Sequence, residues 1–344
     1  METQVTLFKG ELMEELIRNY FLSLGYYVVR GAKFQYENID LTDVDLFLYN
    51  RSSSLTRERI NVDIKNKKAP QALERILWAN GLMKVLNFDS CIVATIDRRP
   101  IIQKFGQQHN TKILDGTFLS KLKANAFPNR LSEEELCKRL ATVRSYKTFP
   151  NRDWRFIYEA SKSKLLTEQD FSGFNSVLSE AQYFIEKAIS DIQKREVATR
   201  MIYLTLSHLL IIIDFLNKDI AFLEPTEREK KLGDGFRFGN LGRDGLDKII
   251  SLAAQISNNS KSPNSILQSL DSIPVDILKS FFSKNDTSNN VFFWAKELEQ
   301  HGYNNEFVNP QLLSPQLKAL ISVVLDYSNI ERRKFFECYS NNNI

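Results

Sequence analysis

The chain has 344 residues, of which 43% are hydrophobic and 26% are charged. These proportions are typical of globular proteins and exclude collagen-like and disordered chains, and the length predicts about two domains. A formal net charge of +4 permits nucleic acid as a partner without arguing for it. Three cysteines far apart exclude a disulfide framework and cysteine-based zinc sites. Any metal site is therefore expected to consist of carboxylates, which prefer Mg²⁺, Mn²⁺ or Ca²⁺.

The N-terminal segment and the most apolar segment both predict a protein without a membrane partner. Acidic residues at positions 11, 14 and 15 interrupt any signal-peptide core. The most apolar stretch, residues 201–223, contains His208, Asp214, Lys218 and Asp219, so it lacks the run of about 20 apolar residues that a membrane span needs. We expect a buried helix there and a cytoplasmic location.

Hydrophobic periodicity predicts alternating helices and strands over the first 125 residues. Apolar residues at a 3.6-residue spacing predict a helix over residues 10–24, which Gly25 ends. Strands rich in β-forming residues follow over residues 26–30, 43–49 and 59–65. The polar, basic segment between the last two is typical of a hairpin tip. The next helix, residues 71–86, is expected to bury an apolar side formed by Leu73, Ile76, Leu77, Leu82, Val85 and Leu86.

The same alternation continues after this helix. Residues 90–96 are almost continuously apolar, which indicates a strand covered on both faces. A helix over 100–109, a short strand over 112–114 and a helix over 115–122 follow. The order α-β-β-β-α-β-α-β-α predicts a mixed sheet with helices packed on it.

The rest of the chain predicts helices. Ser132 and Glu135 form the pattern of a capping box. Helical periods follow over residues 174–194, 197–216, 246–257, 275–282, 291–299 and 314–339. We therefore expect an α/β domain over 1–128, a linker or connecting helix over 129–153, and an all-α interaction or target-recognition domain over 154–344.

A glycine-rich segment, residues 233–245, interrupts the helical pattern with five of the 13 glycines. Basic and aromatic residues lie in and beside it: Lys230, Lys231, Phe236, Arg237, Phe238 and Arg243. Such residues can contact phosphate and stack on bases. The favoured interpretation is simpler: a mobile surface connection between helices.

Acidic residues and a lysine lie on the two central predicted strands. Asp43 and Asp45 share one face of the second strand, and Asp63 and Lys65 share one face of the third, because strand side chains alternate. If these strands pair, Asp45, Asp63 and Lys65 can converge. A charged residue within a strand is costly unless it is paired or metal-bound. Taken alone, Asp63 and Lys65 could simply face solvent, and Asp43 could cap a turn.

The converging residues have the chemistry of a metal site. Two carboxylates can hold Mg²⁺ or Mn²⁺, with the backbone carbonyl of Ile64 as a third ligand. The metal lowers the pKa of a bound water, and Lys65 can orient that water or neutralise charge on a phosphoryl oxygen. Glu14, on the first helix, could close the site through a water.

The same residues stand in the order of a known family. The matching segments are residues 10–14, 24–26, 42–46 and 62–66, with weaker likeness at 92–95 and 113–116. With an acid on the first helix, an Asp on one strand and Asp-x-Lys on the next, residues 5–125 resemble the PD-(D/E)xK, or restriction-endonuclease-like, nucleases of the Mrr type. Two departures are Asp63, where Mrr-type motifs usually have Glu, and Val44, where many relatives have Pro.

The resemblance implies a restriction-endonuclease-like fold and Mg²⁺-dependent hydrolysis of DNA phosphodiester bonds, in restriction or defence against foreign DNA. It implies catalytic roles for Glu14, Asp45, Asp63 and Lys65, and it favours Asp45 over Asp43 as the metal ligand. Metal ligands would be Glu14, Asp45, Asp63 and the Ile64 carbonyl.

Several partners are expected. DNA, or RNA in its place, would contact Lys67, Lys68, Arg57, Arg59, Arg98 and Arg99, although each could be an ordinary surface charge. The helical domain could form a homodimer or bind a partner protein. The alternative function is a non-catalytic module that binds nucleic acid or protein and retains a nuclease-like fold, because fold alone does not fix function.

Overall fold

The computed structural model describes residues 9–37, 39–65, 71–122, 129–143, 153–256 and 270–340. They belong to two compact units. The first comprises Met1–Thr167 and Tyr303–Glu306, and the second comprises Glu168–Gly302 and Phe307–Ile344. The division along the chain falls after Thr167, so the helix Trp154–Thr167, assigned from sequence to the helical domain, belongs to the first unit. The segment expected to be a linker contains the helix Glu133–Ala141.

The first unit contains a five-stranded mixed sheet flanked by helices. Its strands are β1 Tyr27–Tyr36, β2 Ile39–Arg51, β3 Arg57–Lys65, β4 Ser90–Thr95 and β5 Thr111–Leu114. Its helices are α1 Lys9–Ser23, α2 Ala72–Val85, α3 Pro100–Gln108, α4 Gly116–Leu119, α5 Glu133–Ala141 and α6 Trp154–Thr167. The strand order is β1-β2-β3-β4-β5, antiparallel from β1 to β3 and parallel from β3 to β5. The predicted α/β layout is confirmed.

Helix α1 ends where the glycine predicts. Gly25 has a φ of +92°, and its N–H donates to the Leu22 carbonyl, while the N–H of Tyr26 donates to the Phe21 carbonyl. This left-handed turn satisfies the last carbonyls of the helix, and glycine adopts it without a Cβ clash. The chain then enters β1 at Tyr27.

Helices cover both faces of the sheet. On one face Ile17 and Phe21 of α1 and Leu119 of α4 belong to one buried cluster with side chains of β1 to β4. On the other face Ile76 of α2 and Ile102 of α3 pack in a second cluster with side chains of β4. Consecutive side chains of a central strand therefore enter two different helical layers.

The buried side of α2 is narrower than its periodicity predicts. The helix packs on the sheet through Ala72, Ile76 and Ala79. The expectation that Leu73, Leu77 and Val85 are also buried is wrong, because their exposed fractions are 38%, 55% and 68%. Helix α2 has apolar residues on both sides, so spacing alone could not identify the side that faces the sheet.

The described part of the second unit is mainly helical, as predicted, and the last residue of its helix Asn285–Tyr303 belongs to the first unit. Its helices are α7 Phe171–Ser190, α8 Arg195–Asn217, α9 Pro225–Phe238, α10 Gly242–Ile256, α11 Val275–Phe282, α12 Asn285–Tyr303, α13 Pro315–Tyr327 and α14 Arg332–Glu337. The segment Ile192–Asn217 is long and apolar enough to cross a membrane, but 89% of its most apolar window is buried inside the protein. That burial is typical of the core helix of a soluble protein.

The glycine-rich segment is not a loop, which corrects the prediction. Helix α9 continues to Phe238, and a short 3-10 turn leads into α10 at Gly242. Within α9 the ring of Phe236 is buried and stacks on Phe174, with centroids 4.6 Å apart. A Cβ at Gly235 would overlap the ring of Phe171. Glycine here allows close packing of α9 instead of supplying loop freedom.

Candidate functional site

Strand β3 directs alternate side chains toward helix α2. The amide of Asn61 donates to the Ala79 carbonyl across 3.2 Å, and the carboxylate of Asp63 pairs with Arg75. By the same alternation Lys65 belongs to this face, whereas Val62 and Ile64 belong to the cluster on the α1 side. The Asp-x-Lys spacing therefore puts both charged groups on one face of the sheet, as predicted.

Asp45 lies at the point where β2 and β3 stop pairing. The regular ladder begins at Leu46 opposite Val62, so Asp45 is the residue just outside it. Its Oδ2 accepts a hydrogen bond of 2.6 Å from the N–H of Ile64. Its Oδ1 accepts no hydrogen bond from the residues that the structure describes. The structure thus joins Asp45 directly to the middle residue of the Asp63-Ile64-Lys65 tripeptide.

The electrostatic environment connects Glu14, a third acid, to Asp45. Burial raises the pKa of Asp45, and the Ile64 N–H and the charges of Lys65 and Arg75 oppose that change. Burial also raises the pKa of Glu14, against the influence of Arg30, and the charge of Asp45 raises it further. The charge of Asp45 therefore acts on the Glu14 carboxylate. Asp43, in contrast, is exposed.

Glu14 is engaged by an arginine of strand β1. Arg30 reaches Oε2 of Glu14 with Nε at 2.8 Å and with Nη2 at 2.7 Å. The same guanidinium pairs with Glu15 at 2.9 Å and with Glu134 at 2.7 Å. Arg30 is buried, so this cluster fixes the position of the Glu14 carboxylate beside the sheet.

Asp63 is engaged by an arginine of helix α2. Arg75 Nε donates to Oδ2 of Asp63 across 2.8 Å, and Nη2 donates to Oδ1. Asp63 is buried, whereas the Arg75 side chain is 26% exposed. The guanidinium also lies 5.7 Å from the ring centroid of Trp78, which is 48% exposed. Burial lowers the pKa of Arg75, and the charge of Asp45 raises it. Arg75 therefore interacts electrostatically with Asp45 as well as pairing with Asp63.

Sequence reasoning missed Arg75. A signal was present, because Arg75 stands three residues after Ala72 and four before Ala79, the residues with which α2 meets the sheet. A single charge on that side of a helix indicates a buried partner.

The predicted nucleic-acid contacts fall at two ends of the sheet. Arg98 and Arg99 follow β4, whose carboxyl end lies beside Lys65 because Lys65 pairs with Thr95. Both are exposed, and Arg99 forms an ion pair with Asp97 at 2.6 Å. The structure therefore brings these two arginines to the edge that carries the acids.

The other predicted contacts are elsewhere. Arg57 is buried and its Nη1 donates to the Ser53 carbonyl at 2.6 Å, which closes the hairpin between β2 and β3. Arg59 donates to the Asn87 carbonyl. Both stand near the start of β3, and Arg57 is eight residues from Lys65, roughly 26 Å along an extended strand. Lys67 and Lys68 lie outside the described residues.

The donor set fits a hard divalent cation. No group of three or more His, Cys, Asp or Glu within the described ranges is arranged as a metal site. Mg²⁺, however, often takes only one or two carboxylates and keeps several waters. Asp45 has an oxygen free of hydrogen bonds to the described residues, and Asp63 belongs to the adjoining strand. Mg²⁺ or Mn²⁺ fits these two residues if Arg75 releases at least one oxygen of Asp63.

A buried ion cluster contacts Arg30, the arginine that pairs with Glu14. Glu133 of α5 is buried, and Oε1 accepts from Lys162 Nζ at 2.7 Å while Oε2 accepts from the Tyr303 hydroxyl at 2.5 Å. Arg18 lies 3.6 Å from Oε2. Burial opposes ionisation, but Lys162 and Arg18 outweigh it and lower the pKa of Glu133 to about 2. Lys162 also donates to the Arg30 carbonyl at 3.0 Å, so the cluster connects α5 and α6 to β1.

Comparison of the chain with protein-family models, with curated proteins and with solved structures gives no match. A functional conclusion therefore depends on the geometry of these residues.

Proposed function

We propose that this protein is a Mg²⁺- or Mn²⁺-dependent endonuclease that hydrolyses DNA phosphodiester bonds, in restriction or another defence against foreign DNA. The observation that carries the proposal is the hydrogen bond from the Ile64 N–H to Asp45, which joins the Asp of β2 to the Asp-x-Lys tripeptide of β3. The element order α1-β1-β2-β3-α2-β4 and the position of Glu14 on α1 agree with the resemblance to PD-(D/E)xK nucleases.

The proposal gives each residue of the site a role. Asp45 and Asp63 would hold the metal, with the Ile64 carbonyl as a further ligand and Glu14 bound through water. When bound, the metal supplies a water of lowered pKa and positive charge for the phosphoryl oxygens. Lys65 would orient that water or neutralise the same oxygens. Arg98 and Arg99 would bind the nucleic-acid backbone at the same edge of the sheet.

A plasmid-cleavage assay tests this proposal. Supercoiled and linear DNA are incubated with the full chain and Mg²⁺ or Mn²⁺, beside Asp63→Ala and Lys65→Ala. Matched controls are Asp40→Ala on the exposed hairpin and Lys112→Ala on β5, which remove the same charges away from the acids. Cleavage by the wild type and both controls, lost in both site variants and with EDTA, is the expected result. Cleavage that survives Asp63→Ala and Lys65→Ala in folded protein would refute the assignment.

One observation favours a second candidate, a non-catalytic binding module. Arg75 already neutralises Asp63, and an internal cation of this kind can replace a metal permanently. This candidate predicts DNA or protein binding that neither EDTA nor Asp63→Asn alters, with no cleavage of any substrate. Single-stranded RNA in the same assay distinguishes the two nucleic acids.

We also propose a homodimer or a complex with a partner protein, and a cytoplasmic location. Cleavage of both DNA strands would require two active sites, which a homodimer or a partner protein bound to the helical unit would supply. Light scattering at several concentrations measures the oligomeric state, and cell fractionation tests the cytoplasmic location. A monomer that cuts both strands in one encounter would contradict the need for a second copy.

A further inference from the structure

A positively charged side chain of the protein already occupies the place beside Asp63 that a metal ion would take. Arg75 binds both carboxylate oxygens of Asp63, which is buried. A planar guanidinium matches a carboxylate in this two-point arrangement, and such pairs are among the strongest hydrogen-bonded ion pairs in proteins. A metal ion needs at least one of the same oxygens. Arg75 and a divalent cation therefore compete for Asp63.

Arg75 also has a route away from Asp63. Its side chain is 26% exposed, and the half-exposed ring of Trp78 lies one helical turn further along α2. Guanidinium groups stack on aromatic rings and bind phosphate oxygens as well as carboxylates. A phosphodiester at the mouth of the site offers Arg75 a second anion, and it leaves Asp63 free for the metal.

We infer that Arg75 is the resident counter-ion of Asp63, and that it moves to the substrate phosphate when a divalent cation takes its place. The inference rests on the proposed nuclease function and adds regulation to it. In the free protein Arg75 keeps the metal affinity low. Substrate and metal then bind cooperatively, because each removes an obstacle to the other.

Cooperativity of this kind is reciprocal. If a DNA duplex raises the metal affinity by some factor, the metal raises the DNA affinity by the same factor. Coupling between two sites is typically about 5- to 150-fold. Arg75→Gln removes the competing cation, so it should tighten Mn²⁺ binding without DNA by a factor in that range. It should also abolish the further effect of DNA.

Calorimetric titration of the full chain with Mn²⁺ measures this directly, with and without a short DNA duplex. All variants carry Lys65→Ala, which prevents turnover without removing a carboxylate ligand. Arg59→Gln is the matched control, because it removes an equal charge from β3 four residues from Asp63, roughly 13 Å away. It should leave the Mn²⁺ affinity unchanged. Arg75→Lys keeps the charge but cannot bind both oxygens, so its affinity should be intermediate.

The outcomes separate the inference from the proposed function. Tighter Mn²⁺ binding by Arg75→Gln, insensitive to DNA, supports the inference. Equal or weaker binding by Arg75→Gln, with Asp45→Asn abolishing it, overturns the inference and leaves the metal site intact. If neither the Lys65→Ala reference nor its Arg75→Gln variant binds Mn²⁺, with or without duplex, the proposed function fails and the inference fails with it.

A second measurement needs no variant of Arg75 and so does not depend on its folding. In a spectrum of arginine side chains, the Nε–H of Arg75 should give a protected signal in the free protein, since it donates to Asp63. Mg²⁺ together with the duplex should move that signal. A signal that stays unchanged at saturating Mg²⁺ and duplex would show that Arg75 does not leave, and would overturn the inference.

Discussion

Replacing Glu133 by Gln should lower the stability of the first unit by about 3 kcal/mol at pH 7. Burial opposes its ionisation, but Lys162 and Arg18 outweigh burial and lower the pKa from 4.5 to about 2. At about 1.4 kcal/mol per pH unit, that difference corresponds to about 3 kcal/mol. The variant also leaves Lys162 buried without its carboxylate, and breaking a buried ion pair costs about 3–5 kcal/mol. Both arguments therefore give the same magnitude.

The sign of the pH dependence follows from the direction of the shift. The folded pKa is lower than the unfolded one, so the ionised carboxylate stabilises the fold above about pH 4.5 and this contribution is lost as the pH falls toward 2. The difference between wild type and Glu133→Gln should thus be complete at pH 7 and shrink below pH 4.5. If the pKa of Glu133 were the same in the folded and the unfolded protein, the difference in stability would not change with pH.

Urea unfolding followed by the fluorescence of Trp154, buried in α6, measures the loss in this unit. Trp78 and Trp294 are replaced by Phe in all samples so that a single fluorophore reports. Glu135→Gln is the matched control, because glutamine can also complete the capping box with Ser132. A loss below about 1 kcal/mol for Glu133→Gln, or one equal to that of the control, would refute the reasoning.

Four further predictions concern other residues. Asp45→Asn should raise the melting temperature at pH 7.5, because burial raises the pKa of Asp45 and its ionised form opposes folding. At acidic pH the melting temperatures of the two proteins should become equal. An unchanged melting temperature at pH 7.5 would contradict this prediction. Mn²⁺ affinity should fall on acidification at a higher pH than for an ordinary aspartate, and calorimetry across pH tests it. Gly235→Ala should destabilise by about 1–3 kcal/mol because a Cβ overlaps Phe171. Gly81→Ala, on the open side of α2, should stabilise by about 0.5–1 kcal/mol, and thermal unfolding compares the two glycines.

Local patterns predicted the parts of the fold that depend on local rules. The order of elements over the first 125 residues follows from periodicity, and Gly25 ends α1 as expected. The alternation of strand side chains placed Asp63 and Lys65 on one face. The approach of Asp45 to this tripeptide required only that two neighbouring strands pair in an antiparallel hairpin.

Predictions failed where the answer depends on a distant partner. The sequence cannot show that Gly235 meets Phe171, so a glycine that allows close helix packing resembled a loop residue. Helix α2 has apolar residues on both sides, and only the sheet decides that Ala72 and Ala79 face inward. The same limitation concealed Arg75, which is an ordinary helix residue until β3 brings Asp63 beside it.

Glu14, Asp45 and Asp63 differ in how their charge is balanced, and that difference distinguishes their roles. Glu14 and Asp63 each have an arginine of the chain, Arg30 and Arg75 respectively. Asp45 has only a peptide N–H as a direct partner among the described residues, and burial raises its pKa. A half-buried carboxylate with one oxygen that accepts no hydrogen bond from the described residues gains most from an added cation. In the proposed nuclease, Asp45 is therefore the first ligand that a divalent cation meets, and Asp63 becomes available only when Arg75 has moved.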